Sequence, residues 1–206
     1  MTTKEPMLLF RKLMICCLTA ALFSFAPAPV AAELTTDKQP AAKPVVATIY
    51  VNNAKATYDN EIIAKLTERF NAKLTMYEIR KGDKYVEKLY KLGVTDVTVA
   101  ERSDILQAFE GEDVDYVVYA EVQPPILRYW MSVFNQGYTA TVTIPVKLID
   151  VKGGKYIYNG KYTEQADNSA VIGDVGTKAA VLKAMDKIFV KTDQLLASRM
   201  PKPTNK

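Results

Sequence analysis

Two consecutive prolines, Pro124 and Pro125, separate two runs of strand-forming residues. The run before them, residues 114–122 (VDYVVYAEV), places apolar residues at every second position, as expected for a β-strand with two different faces. Because proline donates no backbone hydrogen bond, the strand must break or lie at an edge at this point. The run after them, residues 126–134 (ILRYWMSVF), contains the only tryptophan of the chain. Its large apolar side chains cannot all face one core, since side chains alternate along a strand.

Two interpretations of this second run remain open from the sequence. Flanking helices could cover the apolar side chains, which is the commoner fate of large apolar residues. Alternatively, the side chains could form an exposed patch for a partner, because tryptophan, tyrosine and arginine dominate the energetics of interfaces. The run therefore predicts a partner-binding site, with Tyr129, Trp130 and Phe134 as anchors and Arg128 as a polar contact.

The hydrophobic periodicity along the chain predicts an α+β fold. In chain order, the predicted elements are a strand (45–51), a helix (59–70), a second strand (74–79), a second helix (83–92), a short third helix (98–110), a meander of strands (114–165) and a long final helix (174–199). This order (strand-helix-strand-helix-meander-helix) predicts a two-layer sandwich with a mixed, mainly antiparallel sheet and helices packed on one face. Thr98 followed by Glu101 is a capping-box pattern and predicts the start of the short helix.

The amino terminus has the pattern of an export signal. Lys4, Arg11 and Lys12 are followed by an apolar run at residues 14–25 and by small residues up to Ala32. A retained membrane anchor is the alternative, but the run is shorter than the roughly 20 residues of a spanning helix. We therefore predict cleavage near Ala32, no stable membrane span afterwards, and a periplasmic or secreted protein.

The composition downstream of this signal divides the rest of the chain into three parts. Residues 33–44 are polar and contain proline, so they are predicted to form a flexible linker. Residues 45–200 are predicted to form one domain, and residues 201–206 a tail. The signal carries three basic residues and one acidic residue, which leaves 24 basic and 22 acidic residues and a net charge of +2. Because both signs are interleaved along the chain, nucleic acid is not a predicted partner.

The side-chain inventory removes most catalytic chemistries. The 206-residue chain has no histidine, and its two cysteines, Cys16 and Cys17, lie in the predicted signal. Sites that need a histidine base, a thiolate or a histidine-ligated metal are therefore excluded. We predict no catalytic residues, no metal site and no cofactor. A hydrolase based on the carboxylates of residues 110–115 is the least favoured alternative, because this acidic segment has the composition of a solvated turn and lacks the ligand spacing of a calcium loop.

One part of the sequence resembles a group of bacterial envelope proteins. Glu101, Arg102 and Ser103 lead a short helix, and an acidic turn then precedes the alternating strand at residues 115–122. This arrangement resembles the curli-secretion channel subunit, the lipoprotein activators of penicillin-binding proteins, and the amino-terminal domain of the Tol-system propeller protein. The resemblance implies a fold related to anticodon-binding domains and a non-enzymatic accessory or assembly role in the envelope.

These observations lead to one functional hypothesis and one alternative. The hypothesis is an exported, non-enzymatic envelope protein that binds another envelope component through the aromatic surface after the double proline. The alternative is a carbohydrate or cell-wall binding module, since sugars stack on exposed aromatic rings and the chain has 12 tyrosines. The sequence leaves the oligomeric state open.

Overall fold

The computed structural model of the protein describes residues 42–171 and 175–202. The predicted signal sequence, residues 33–41 of the predicted linker and residues 203–206 of the predicted tail lie outside the described residues. The first strand begins at Val45 and the last helix ends at Arg199. No helix within these two ranges is long and apolar enough to cross a membrane.

The described residues form six strands and four α-helices. In chain order these are β1 (Val45–Asn52), α1 (Asp59–Lys73), β2 (Glu78–Lys81), α2 (Asp83–Lys91), α3 (Arg102–Ala108), β3 (Tyr116–Val122), β4 (Ile126–Met131), β5 (Gln136–Asp150), β6 (Lys155–Ala170) and α4 (Thr177–Arg199).

All six strands belong to one mixed sheet, in which β5 pairs with three other strands. The strand order is β2-β1-β3-β5-β4, and β6 also pairs with β5. Strand β1 is parallel to β2 and β3, whereas β5 is antiparallel to β3, β4 and β6. One edge of β5 thus carries β6, while the other edge is shared by β3 and β4. The predicted α+β class and the mixed, mainly antiparallel sheet are confirmed.

The helices lie on both faces of the sheet, whereas the sequence predicted helices on one face. Helices α1 and α4 pack on the face that includes Val46 and Val118. Helices α2 and α3 pack on the opposite face, against Ala47 and Val117. We name these the α1/α4 face and the α2/α3 face. The physical reason for the difference is that β1 and β3 are apolar on both sides, and each side has to be covered.

Several local boundaries differ from the predicted ones, and for two of them the contacts show why. The strand predicted at 74–79 begins at Glu78 instead, because Leu74 and Tyr77 are buried in the core on the α1/α4 face and pairing with β1 starts at Glu78. The predicted capping box at Thr98 is wrong. Thr98 lies in a 3-10 turn whose N-cap, Asp96, accepts its backbone N–H at 2.9 Å, and α3 begins after Glu101.

The double proline forms a β-bulge between β3 and β4. Ala120 is opposite Val146 on β5, and the N–H of Gln123 donates to Thr143 at 3.1 Å, so the register is unbroken up to this point. Ile126, however, is opposite Thr141. Pro124 and Pro125 together therefore face one residue of β5, the two-against-one arrangement that defines a bulge. Because of this bulge, the missing proline N–H groups do not end the pairing, and β4 continues along the same edge of β5.

Candidate functional site: the hairpin of β4 and β5

The hairpin consists of β4, the turn that follows it and the first part of β5. Its turn is closed by Ser132 and Asn135: the Ser132 N–H donates to the Asn135 carbonyl at 2.6 Å, and the Asn135 N–H donates to the Ser132 hydroxyl at 3.1 Å. Val133 and Phe134 form the tip between them. Strand β6 pairs with β5 as far as Gln136, opposite Ala170, so the hairpin is the end of a three-stranded ribbon.

The side of the hairpin that continues the α1/α4 face carries Leu127, Tyr129 and Met131. Leu127 is opposite Ala140, which is buried in the core on this face, and this pairing fixes which way the three side chains point. The rings of Tyr129 and Tyr138 are 5.3 Å apart, and the Tyr129 hydroxyl donates to Gln136 Oε1 at 2.7 Å. This aromatic pair stiffens the hairpin on one side.

The other side of the hairpin carries Ile126, Arg128 and Trp130. We name this side, together with the parts of β5 and β6 beside it, the open face, because the core beneath α2 and α3 includes no residue of β5 before Ile149. A row of hydroxyl side chains lies next to it, where Thr143 and Thr163 share a hydrogen bond at 2.9 Å. The indole of Trp130 covers Gly137: a Cβ atom at position 137 would lie 2.8 Å from Trp130 Cζ2.

The structure places the four predicted site residues in one hairpin but not on one side. Arg128 and Trp130 lie on the open face, Tyr129 points to the opposite side, and Phe134 is at the tip. Tyr129 is 49% exposed and Phe134 78% exposed, Arg128 is exposed, and Trp130 is partly buried against Gly137. Flanking helices therefore do not cover this cluster. Arg128 forms no ion pair with any residue in 42–171 or 175–202.

The exposed surface is larger than the four predicted residues. Met131 is 73% exposed and Val133 is 88% exposed, and Val171 at the end of β6 is exposed as well. These residues extend the apolar tip around Phe134. The sequence signal for them was the apolar pair Val133-Phe134 inside a turn, where polar residues are usual.

The acidic segment before β3 is occupied by ion pairs. Glu112 accepts hydrogen bonds from Lys84 at 2.8 Å and Lys88 at 2.5 Å, and these bonds lower the pKa of Glu112 to about 2. Burial alone would raise the pKa of Asp115, but hydrogen bonds from Lys152 and the Val45 N–H outweigh burial and lower this pKa. Carboxyl groups with lowered pKa values are ionised at neutral pH, so neither can supply the proton that a general acid must donate.

The Glu101-Arg102-Ser103 element has structural contacts. The Glu101 N–H donates to the Asp104 carboxylate at 2.8 Å at the start of α3, and the Arg102 guanidinium lies 5.9 Å from the centre of the Tyr156 ring. The three residues line an open cavity of about 430 Å³ with Lys147, whose ammonium group donates to the Ala100 carbonyl at 2.7 Å. Burial lowers the pKa of Lys147. In the described part of the chain, no group of three or more histidine, cysteine, aspartate or glutamate residues could hold a metal ion.

Comparisons with known proteins give similarity at the level of solved structures only. No family model matches the sequence, and no curated protein matches it significantly. Lipoprotein GNA1162 from Neisseria meningitidis is 13% identical with a TM-score of 0.42, and 72% of this chain covers 99% of that one. The hypothetical protein CT253 from Chlamydia trachomatis is 12% identical with a TM-score of 0.46, and 75% of this chain covers 98% of that one. LpoB from Escherichia coli, determined by NMR, is 15% identical with a TM-score of 0.37, and 80% of this chain covers 84% of that one.

LpoB is a penicillin-binding-protein activator lipoprotein, one of the groups named in the sequence resemblance. With TM-scores below 0.5, these similarities carry no argument about the fold or the function of this chain.

The contact between Trp130 and Gly137 yields a testable prediction. Replacing Gly137→Ala puts a methyl group where the indole lies, and the strand must shift because the backbone of Asn168 blocks the other side. We expect a loss of about 1–3 kcal/mol of unfolding free energy and a red-shifted emission from the only tryptophan. Denaturant unfolding followed by fluorescence measures both. Gly176→Ala is the matched control, since a Cβ atom there meets nothing within 4 Å; equal effects of both replacements would contradict the contact.

Proposed function

We propose that this protein is an exported, non-enzymatic accessory protein of the bacterial envelope that binds a protein partner through the hairpin of β4 and β5. The observation that carries the proposal is the apolar and aromatic surface exposed at the end of the ribbon of β4, β5 and β6. Met131, Val133 and Phe134 are each more than 70% exposed. Contiguous exposed apolar surface of this kind marks interaction sites.

The hairpin is preorganised for binding. Its turn is held by the hydrogen bonds between Ser132 and Asn135, and its strands are held by β6 and by the packing of Tyr129 on Tyr138. A rigid binding surface loses little conformational entropy when the partner docks, which leaves more of the contact energy as affinity. Phe134 is therefore suited to act as an anchor without a folding step.

The surface also indicates the chemistry of the partner. Phe134 and Val133 at the tip need an apolar pocket, and the exposed guanidinium of Arg128, further back along β4, needs a carboxylate. A partner with this combination gains both the apolar contact and a charge-assisted hydrogen bond. The export signal predicted for residues 1–32 favours a partner in the envelope over one in the cytoplasm.

Site-specific photo-crosslinking in cells tests this proposal. A benzoylphenylalanine in place of Phe134 is expected to give a discrete covalent adduct with one envelope protein other than a second copy of this chain, in cells that express the full chain for export. The same probe at Val190, 56% exposed on α4, is the matched control and is expected to give no such adduct. Phe134→Ala in the purified pair should weaken binding at least about tenfold, with an unchanged melting temperature. Equal adducts from both positions, or wild-type binding by Phe134→Ala, would contradict the proposal.

A second candidate function follows from the open face. Trp130 shares the open face with the hydroxyl groups of Thr139 and Thr141, which lie on β5 opposite Arg128 and Ile126, and sugars combine ring stacking with hydroxyl hydrogen bonds. We expect soluble peptidoglycan fragments to change the Trp130 fluorescence in a saturable way if this candidate is correct. Thr141→Val, which removes one hydroxyl group, should then weaken the response. No change in emission at millimolar concentrations would rule out glycan binding at Trp130.

A further inference from the structure

Within residues 42–171 and 175–202, no strand pairs with the outer edge of β4. In the strand order, β4 has one neighbour, β5. Strand β1, which pairs with β3, ends at Asn52 and does not continue beside β4. No described strand therefore lies beside β4 on that edge. The side chains of β4 point to the two faces of the sheet. The backbone edge of β4 is therefore a separate surface from the exposed side chains that carry the proposed function.

Backbone geometry identifies which groups of β4 point outward. The Ser132 N–H donates to Asn135 across the hairpin, so Ser132 faces β5, and by alternation so do Trp130, Arg128 and Ile126. The N–H and C=O groups of Leu127, Tyr129 and Met131 consequently point away from the sheet. Exposed edges of this kind are templates for pairing with another strand.

The other two edges of the sheet carry the usual protection against such pairing, and β4 does not. Strand β2 has only four residues, which include Arg80 and Lys81. Strand β6 carries Lys155, Lys161 and Asp167. Short length and charged side chains, lysine above all, discourage edge pairing. Strand β4 (ILRYWM) has no lysine, no proline and no acidic residue, and Arg128 is its only charge.

From this we propose that β4 pairs antiparallel with β4 of a second copy of the chain, with Tyr129 on the two-fold axis. Outward-pointing groups must face each other, which allows only registers that pair odd-numbered with odd-numbered residues. With Tyr129 opposite Tyr129, Leu127 lies opposite Met131 and Arg128 opposite Trp130. Leu127, Tyr129 and Met131 of one copy then face apolar or aromatic side chains of the other, and each Arg128 guanidinium lies over a Trp130 indole, a favourable cation–π pair.

Neighbouring registers are less favourable. A shift that puts Arg128 opposite itself places two like charges face to face, which is destabilising across a strand pair. The same shift drives the tip of one copy into the end of β1 of the other. In the proposed register, Phe134 lies level with Pro124 of the second copy, just beyond Asn52 where β1 ends. A shift in the opposite direction shortens the paired segment.

The pairing joins two sheets into one and uses about six backbone hydrogen bonds. It leaves the tips, which carry Phe134, at opposite ends of the new strand pair. A dimer would therefore present two copies of the binding tip. Partner binding through Phe134 does not require this dimer, so each proposal can fail without the other.

Cysteine crosslinking tests the register directly. In a background with Cys16 and Cys17 replaced by serine, Tyr129→Cys is expected to form a disulfide-linked dimer, because facing Cα atoms of a hydrogen-bonded antiparallel pair are about 5.5 Å apart. Arg128→Cys and Trp130→Cys should each remain uncrosslinked alone and should crosslink when the two variants are mixed. In the proposed register, position 128 of one copy faces position 130 of the other, and neither position faces itself. Crosslinking of Arg128→Cys with itself would overturn the register.

Sedimentation equilibrium of the full chain purified from the envelope fraction tests the dimer itself. The wild-type protein and Tyr129→Phe, which keeps the backbone groups, are expected to sediment as dimers. Tyr129→Pro removes one outward N–H and no backbone hydrogen bond to β5, and it loses the hydroxyl bond to Gln136 as Tyr129→Phe also does. It should raise the dissociation constant at least about tenfold. Circular dichroism checks that this variant is folded, and Tyr129→Lys replaces it if it is not. A monomeric wild-type protein at about 100 μM, or dimers unaffected by both replacements, would overturn the proposal.

Discussion

The pairing of β5 with a bulged neighbour is the constraint on which the rest of the structure depends. β5 is long enough to hold β3 along one half of its edge and β4 along the other, and the bulge at Pro124 and Pro125 joins these two halves. Without the extra residue, β4 would keep the register of β3, and every side chain of β4 would change sides. The bulge therefore decides that Trp130 points to the open face and Tyr129 to the other.

The unequal cover of the sheet explains why the exposed surface is at one end. Around β1 and β3 both faces are covered by helices, so these strands are buried almost throughout. Past the bulge, α2 and α3 no longer reach the sheet, and the ribbon of β4, β5 and β6 extends away from this covered part. Among the described residues, no helix of the α2/α3 face packs on the apolar side chains of this ribbon. Within the same residues no strand continues beside β4, because β1 ends at Asn52.

Periodicity in the sequence predicted most of the elements, because the helices and long strands satisfy their own patterns. It predicted α1 from the stripe of Ile62, Leu66 and Phe70, all of which are buried. It misplaced β2, since Leu74 and Tyr77 are apolar for reasons of core packing and only pairing with β1 determines where that strand begins. The second layer of helices was missed although the near-continuous apolar run of β1 is what a strand covered on both faces requires.

Only the crowding of apolar side chains in the hairpin could be predicted from the sequence, and the role of the hairpin in binding stays a prediction. The side chains of ILRYWMSVF lie on both sides of β4, as alternation requires, and the hairpin exposes Phe134 and Tyr129. The sequence could not show which side each residue takes, because that depends on a register shift made by two prolines opposite a residue of β5 far along the chain. The cover of Gly137 by Trp130 was likewise invisible, since it joins two strands through that shifted register.

The shifted register can be measured by NMR. In an antiparallel pair, the α-protons of a facing, non-hydrogen-bonded pair approach each other closely. Tyr129 and Tyr138 form such a pair here, so a strong nuclear Overhauser effect between their α-protons is the predicted result. If β4 instead continued the register of β3, Tyr129 would face Gly137. A strong effect from the Tyr129 α-proton to Gly137, with none to Tyr138, would contradict the bulge and the placement of every side chain on the hairpin.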